Sequence, residues 1–278
     1  MKSATVVEAP REQNSTAAPR PAPYRAGLLT ALAVALFFAV WGLRGLGFRN
    51  VIDTDAARHA MNGVFLLDFL ASGNWTHPLQ FAESYYAHFP ALSLPYHPPV
   101  FPLMEALFFG IFGVSIVTAR VVIALCTFLA LLLLMRIGSR ATRSVAVAIC
   151  AAAAFASWRS SLMVASDATL EFPALLFTLA AILVVANLDR FDWRRAVLFG
   201  ALAGVAVWTK QHAVFLVALP LVFLVLARRF AMLRTAVPWI ALISAGLPVV
   251  ALHWFSSVYR GAGTDQVVRS YAITDTIL

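Results

Sequence analysis

The chain has 278 residues, of which 61% are hydrophobic and 12% charged, and its formal net charge is +8. Soluble domains carry a roughly even apolar share and about a quarter charged residues, so a water-soluble fold is excluded. The cations lie in short clusters between apolar runs rather than on one face, which argues for membrane topology and against nucleic acid as a partner.

In chain order, residues 1–25 are rich in Pro, Ala, Ser and Arg and lack an apolar core, which predicts a disordered cytoplasmic tail and not a signal peptide. An apolar first span follows over 26–43. Residues 44–116 then form one large outer loop holding Trp75, Tyr85, Tyr86, Tyr96, four histidines and five carboxylates, more ionisable groups than an aromatic belt requires. Within that loop, 99–113 is apolar but carries Pro99, Pro102 and Glu105. As a helix it would reach only ~22 Å of a ~30 Å hydrocarbon layer, so it reads as an interfacial or re-entrant helix.

Further spans are expected over 117–136, 144–163, 168–188, 196–209, 212–228 and 236–256. The result is an all-α polytopic membrane protein of about seven transmembrane helices, with a membrane domain over 26–256 and an outer segment over 257–278. The 196–209 run is short, but the clusters around Arg195 and Arg228 require the chain to cross out and back around Lys210.

Orientation comes from charge. Four basic clusters, Lys2/Arg11/Arg20/Arg25, Arg136/Arg140/Arg143, Arg190/Arg194/Arg195 and Arg228/Arg229/Arg234, hold thirteen of the 21 cations and mark the cytoplasmic ends. Nine of the 13 carboxylates, Asp55, Asp167 and Glu171 among them, fall between those clusters or after the last. The amino end is thus expected inside the cytoplasmic membrane and the chemistry on its outer, periplasmic side. Cys126 and Cys150 sit in apolar runs and predict neither a disulfide nor a metal thiolate.

Four local signals stand out. The first is Asp53-Thr54-Asp55-Ala56-Ala57-Arg58-His59, a helix start just after the first span. It suits either a capping Asp with Arg58 as a partner one turn on, or a carboxylate that deprotonates a hydroxyl beside an anionic headgroup. The second is Tyr96-His97-Pro98-Pro99, where Pro99 can occupy a first helical turn without losing a needed donor. The third is Ser166-Asp167-Ala168-Thr169-Leu170-Glu171 at an outer span end. The fourth is Trp208-Thr209-Lys210-Gln211-His212, whose Lys210 suits either snorkelling or a phosphate contact. The histidines His59, His77, His88 and His97 leave a divalent metal such as zinc open, although no His-Glu-x-x-His spacing is present. Gly200 and Gly204 read as close helix packing, and Asn74-Trp75-Thr76 as a chance glycosylation sequon.

In their order, these signals resemble the GT-C superfamily of membrane glycosyltransferases, in particular its protein mannosyltransferase-like and aminoarabinose-transferase-like branch. Asp55-Ala56-Ala57-Arg58-His59-Ala60 is similar to that branch's acidic first-loop motif of the type Asp-Glu-x-Arg-Tyr-Ala, departing at Ala56 and His59. His97-Pro98-Pro99, Arg120, Ser166-Asp167-Ala168 and Thr209-Lys210 resemble its later motifs, and the resemblance covers roughly 26–228.

The resemblance implies transfer of a sugar from a polyprenyl-phosphate donor to a hydroxyl of a lipid, glycan or protein acceptor at the outer face, usually with inversion. It implies Asp55 as the catalytic carboxylate, Arg58 and Lys210 as donor phosphate ligands, and Asp53, His59, Tyr96, His97 and Asp167 as cavity-lining residues. Members of that branch commonly have more spans and a carboxyl-terminal part, which implies a shortened form or a fragment here. A transporter of lipid-linked sugar, or a non-catalytic scaffold derived from such an enzyme, are the alternatives.

Overall fold

The computed structural model describes residues 22–44, 54–89, 92–94 and 97–259, and among these every regular element is helical. The protein is an all-α membrane protein. Asp53 and Tyr96, residues 1–21 of the expected tail and residues 260–278 of the expected outer segment lie outside the described residues.

Helix α1 (Ala22–Gly42) begins earlier than the first span expected from the sequence. The expected outer loop, residues 44–116, supplies α2 (Thr54–Ser72), α3 (Pro78–His88) and α4 (Val100–Phe112). Ser115 caps α5 (Ile116–Thr142) by accepting from the Thr118 amide at 3.0 Å. Next come α6 (Val145–Ser157) and α7 (Arg159–Ala165), bent by 74° from each other, then α8 (Glu171–Val185) and α9 (Trp193–Thr209). A 3-10 segment (Gln211–Ala218), α10 (Leu219–Leu226) and α11 (Val237–Tyr259) complete the described chain.

Among the described residues, α5 and α11 are individually long and apolar enough to cross a membrane, and the bent α6–α7 pair raises the number to three. The stretch expected as a straight span over 144–163 is therefore broken at Ser157–Trp158. The stretch expected over 212–228 is half 3-10 helix. Its tighter winding lengthens it, since eight residues at ~2.0 Å and eight at ~1.5 Å reach ~28 Å where sixteen α-helical residues would reach ~24 Å. Large apolar side chains stay exposed along α1 (Leu36, Phe37) and α11 (Leu247, Val250), the outer surface that a hydrocarbon solvent requires.

The bundle is held by α5 against α1, α6 and α8, by α8 against α9, and by α9 against α11. The last contact is close because Gly200 and Gly204 face Ser244 and Pro248. A Cβ at Gly204 would stand 2.6 Å from the Pro248 ring, and one at Gly200 would collide with Ser244. Trp208 locks the same pair, donating from Nε1 to the Pro248 carbonyl at 2.8 Å. Cys126 is buried, Cys150 is exposed, and both are free.

Helices α2 to α4 join this bundle through α4, which packs on both α2 and α5. Gly63 of α2 lets α4 approach, since a Cβ there would lie 2.7 Å from the Glu105 Cβ. Glu105 is fully buried at that contact, away from the cavity described next.

Candidate active site

Helix α2 places its functional side chains by periodicity. Ala56, His59 and Asn62 are buried at i, i+3 spacing, while Asp55 and Arg58 stay on its more open side. Asp55 lies in the first turn, where a carboxylate meets the positive end of the helix dipole, and Arg58 donates from Nη1 to its Oδ1 at 3.3 Å. That geometry is compatible with both a first-turn carboxylate held by its cation one turn on and a carboxylate that takes a proton from a hydroxyl.

Asn62 fixes the next contributor. Its Nδ2 donates to Ser93 Oγ at 2.8 Å and its Oδ1 accepts from the Ser93 amide at 3.0 Å, a two-way clamp within the core. The Ser93 carbonyl then accepts from the His97 amide at 2.9 Å. This chain of bonds sets the His97 ring edge-on to His59, with centroids 4.5 Å apart.

Burial, reinforced by the facing His97 ring, pushes His59 down to about 3. Burial likewise lowers His97, with the Asp55 carboxylate opposing it. Both rings are therefore neutral at neutral pH, each with one nitrogen donor and one acceptor. His59 Nδ1 is buried with no hydrogen-bond partner among the described residues.

The opposite wall comes from the turn between α7 and α8 and from the end of α9. Asp167 Oδ1 accepts from the Ala168 amide at 3.1 Å, its carbonyl accepts from the Thr169 amide at 2.9 Å, and Thr169 Oγ1 donates to the Val164 carbonyl at 2.9 Å. That compact turn presents Thr169, Leu170 and Glu171 to the cavity. Lys210 leaves α9 in an extended conformation, φ −150° and ψ 119°, and its Nζ donates to Glu171 Oε1 at 2.7 Å.

These groups enclose a cavity of about 120 Å³. It is lined by Asp55, His59, His97, Thr169, Glu171 and Lys210, with Val164, Leu170, Gln211 and His212. Of the residues singled out in the sequence, Asp55, His59, His97 and Lys210 thus share one cavity, and Arg58 is held to it through Asp55. Asp167 is not among the lining residues. It is buried behind the wall, 4.0 Å from the Arg120 guanidinium. His77 and His88 lie apart from the cavity, at the two ends of α3. Among the described residues no three His, Cys, Asp or Glu side chains are grouped to hold a metal ion.

Sequence reasoning missed the pairing of Glu171 with Lys210 and the clamp of Asn62 on Ser93. Glu171 did carry a signal, as a carboxylate opening an apolar helix at membrane depth. Asn62 carried none, because its partner is 31 residues away.

Chemically, the cavity offers two carboxylates, three imidazoles, of which His59 and His97 are neutral, and an amine at the end of an apolar bundle. That set can accept a proton from a hydroxyl and meet an anionic group. Among the described lining residues there is no Ser or Cys.

A family model described as dolichyl-phosphate-mannose-protein mannosyltransferase matches residues 96–254. That range takes in His97, Asp167, Glu171 and Lys210 and starts after Asp55, Arg58 and His59. Neither a curated protein nor a solved structure matches the chain.

Proposed function

We infer the reaction from one premise: the chain belongs to the dolichyl-phosphate-mannose-protein mannosyltransferase family, membrane glycosyltransferases of GT-C type that draw on lipid-linked sugar donors. The donor is a polyprenyl-phosphate sugar and the acceptor a hydroxyl of a lipid, glycan or protein. The single observation that supports this most is the convergence of four motifs, distant in the chain, on one polar cavity.

In this reaction Asp55 takes the proton of the acceptor hydroxyl. The acceptor oxygen bonds to the anomeric carbon from the face opposite the phosphate, and the bond from that carbon to the phosphate oxygen breaks with its electron pair leaving on the phosphate. A single displacement of this kind inverts the anomeric centre. Arg58 and Lys210 meet the phosphate as its charge grows. Neutral His59 and His97 orient the acceptor, and Asp167 supports the turn that carries Glu171. Asp53 and Tyr96 stand in the same two motifs and complete the proposed lining.

The cavity lies on the outer side of the cytoplasmic membrane, with the amino end inside. Supporting this, it is formed at the carboxyl end of α7, the amino end of α8 and the carboxyl end of α9, whereas Arg190, Arg194 and Arg195 lie at the opposite ends of α8 and α9, and Arg228, Arg229 and Arg234 follow α10. Seven crossings follow if α1, α5, α6–α7, α8, α9, 211–226 and α11 each pass through once, with α2 to α4 lying outside the spans.

The test is transfer or hydrolysis of radiolabelled sugar from polyprenyl-phosphate donors by the purified chain in detergent. Asp55→Asn is expected to lose roughly 10²–10⁴-fold in rate while folding normally. An active Asp55→Asn protein removes Asp55 from its role, and silence from a folded wild type overturns catalysis in favour of a scaffold.

A further inference from the structure

Lys210 and Glu171 reach the cavity from separate helices, the carboxylate from the first turn of α8 and the ammonium from the end of α9. Their 2.7 Å contact is open to solvent on one side, with side chains 30% and 42% exposed. An ammonium in that position can change partners without dragging a buried charge through an apolar medium.

Charge makes the exchange necessary. Among the described residues the cavity is lined by two carboxylates, Asp55 and Glu171, and by Lys210, which is bonded to Glu171, while Arg58 beside the lining is bonded to Asp55. With His59 and His97 neutral, these four charges cancel, and the proposed Asp53 adds a negative one. A phosphate entering this pocket must therefore draw Lys210 away from Glu171 or remain an uncompensated anion in it.

The geometry points to Glu171 as a competing counterion, displaced from Lys210 by the phosphate of the lipid donor and returning to Lys210 to release the lipid phosphate product. This rests on the donor-phosphate role of Lys210 proposed above. The donor is a phosphodiester with one negative charge. Transfer leaves a monoester whose charge near neutral pH is about −1.5 to −2, as for other phosphate monoesters. A lone ammonium would hold that product more tightly than the substrate it came from. A carboxylate poised to retake the ammonium stabilises the empty site and so weakens both lipid phosphates.

The role has a signature of sign. If Glu171 only held the fold together, its loss would weaken ligand binding. As a competitor, its loss must tighten binding and slow turnover.

The experiment uses the full chain in detergent micelles and polyprenyl phosphate as the binding probe, alongside donor kinetics. Glu171→Gln is expected to bind polyprenyl phosphate roughly three- to fivefold tighter than wild type, with donor KM and kcat both lowered. Glu171→Asp withdraws the carboxylate by one methylene and should tighten binding less, giving the order Gln, Asp, wild type. Asp189→Asn breaks an equally short pair, Arg229 to Asp189 at 2.7 Å, outside the cavity, and should leave binding unchanged.

Unchanged or weaker binding by a folded Glu171→Gln protein overturns the inference. Should that variant fail to fold, Glu171→Asp decides, and no tightening there is equally fatal. A wild type that binds no polyprenyl phosphate overturns the donor-phosphate site itself, an outcome separate from failure of the counterion alone.

Discussion

At the amino end of α8 the chain sets two cation–carboxylate pairs four residues apart. Arg120 and Asp167 stand 4.0 Å from each other with side chains 1% and 3% exposed, whereas Lys210 and Glu171 stand at 2.7 Å and face the cavity. The longer contact is the structural one. Ions out of reach of water cannot regain solvation if a partner leaves, so the buried pair is committed to place the turn beneath the cavity. The shorter pair keeps access to water and can exchange, as the proposed phosphate site requires. Burial, more than distance, separates the two roles.

The comparison breaks most visibly at Arg120. Replacing it with Met should cost about 3–5 kcal/mol by leaving Asp167 buried without its guanidinium, read as a large fall in thermal stability in detergent. Replacing both partners with apolar residues should recover much of that loss. A single Arg120→Met variant as stable as wild type would mean that burial does not commit the pair.

A smaller effect belongs to His59, buried like Arg120 but on the cavity wall. Its folded-state value of about 3 lies below its ordinary 6.5, so the unfolded chain binds more protons between those limits. Stability from this group is present above pH ~6.5 and is lost as pH falls through that window, by up to ~1.4 kcal/mol per unit. Between pH 7 and 5.5, wild type should therefore lose about 1 kcal/mol more than His59→Gln, measured by thermal unfolding at each pH.

The smallest stability change is expected at Lys210. Because the ammonium is solvent-screened, Lys210→Met should alter stability by less than ~1 kcal/mol while polyprenyl phosphate binding falls by at least about tenfold. A Lys210→Met variant that unfolds readily would place this pair with the buried one.

Much of the architecture is legible from one dimension. The apolar run of α5 is long enough to specify its helix in a membrane, and the i, i+3 spacing of Asp55 and Arg58 specifies a helix start with a first-turn ion pair. The bend between α6 and α7 is poorly legible: Ser157, Arg159, Ser160 and Ser161 cluster at the break, but neither Gly nor Pro marks it as a kink. The 3-10 winding of Gln211–Ala218 is equally silent, because it is adopted beneath Lys210 against α9 and α11. Sequence order could line up the four motifs, but it could not distinguish Glu171, which reaches the cavity, from Asp167, which turns away from it.

By itself the sequence determined that the chain lives in a membrane, which ends carry positive charge, and which ionisable groups sit too deep to be incidental. These follow from transfer energies and charge placement, which are local and additive. Only the tertiary structure decided the partners, Lys210 with Glu171 across 39 residues and Asn62 with Ser93 across 31, because a pair forms where packing brings two surfaces together and no local pattern encodes that meeting.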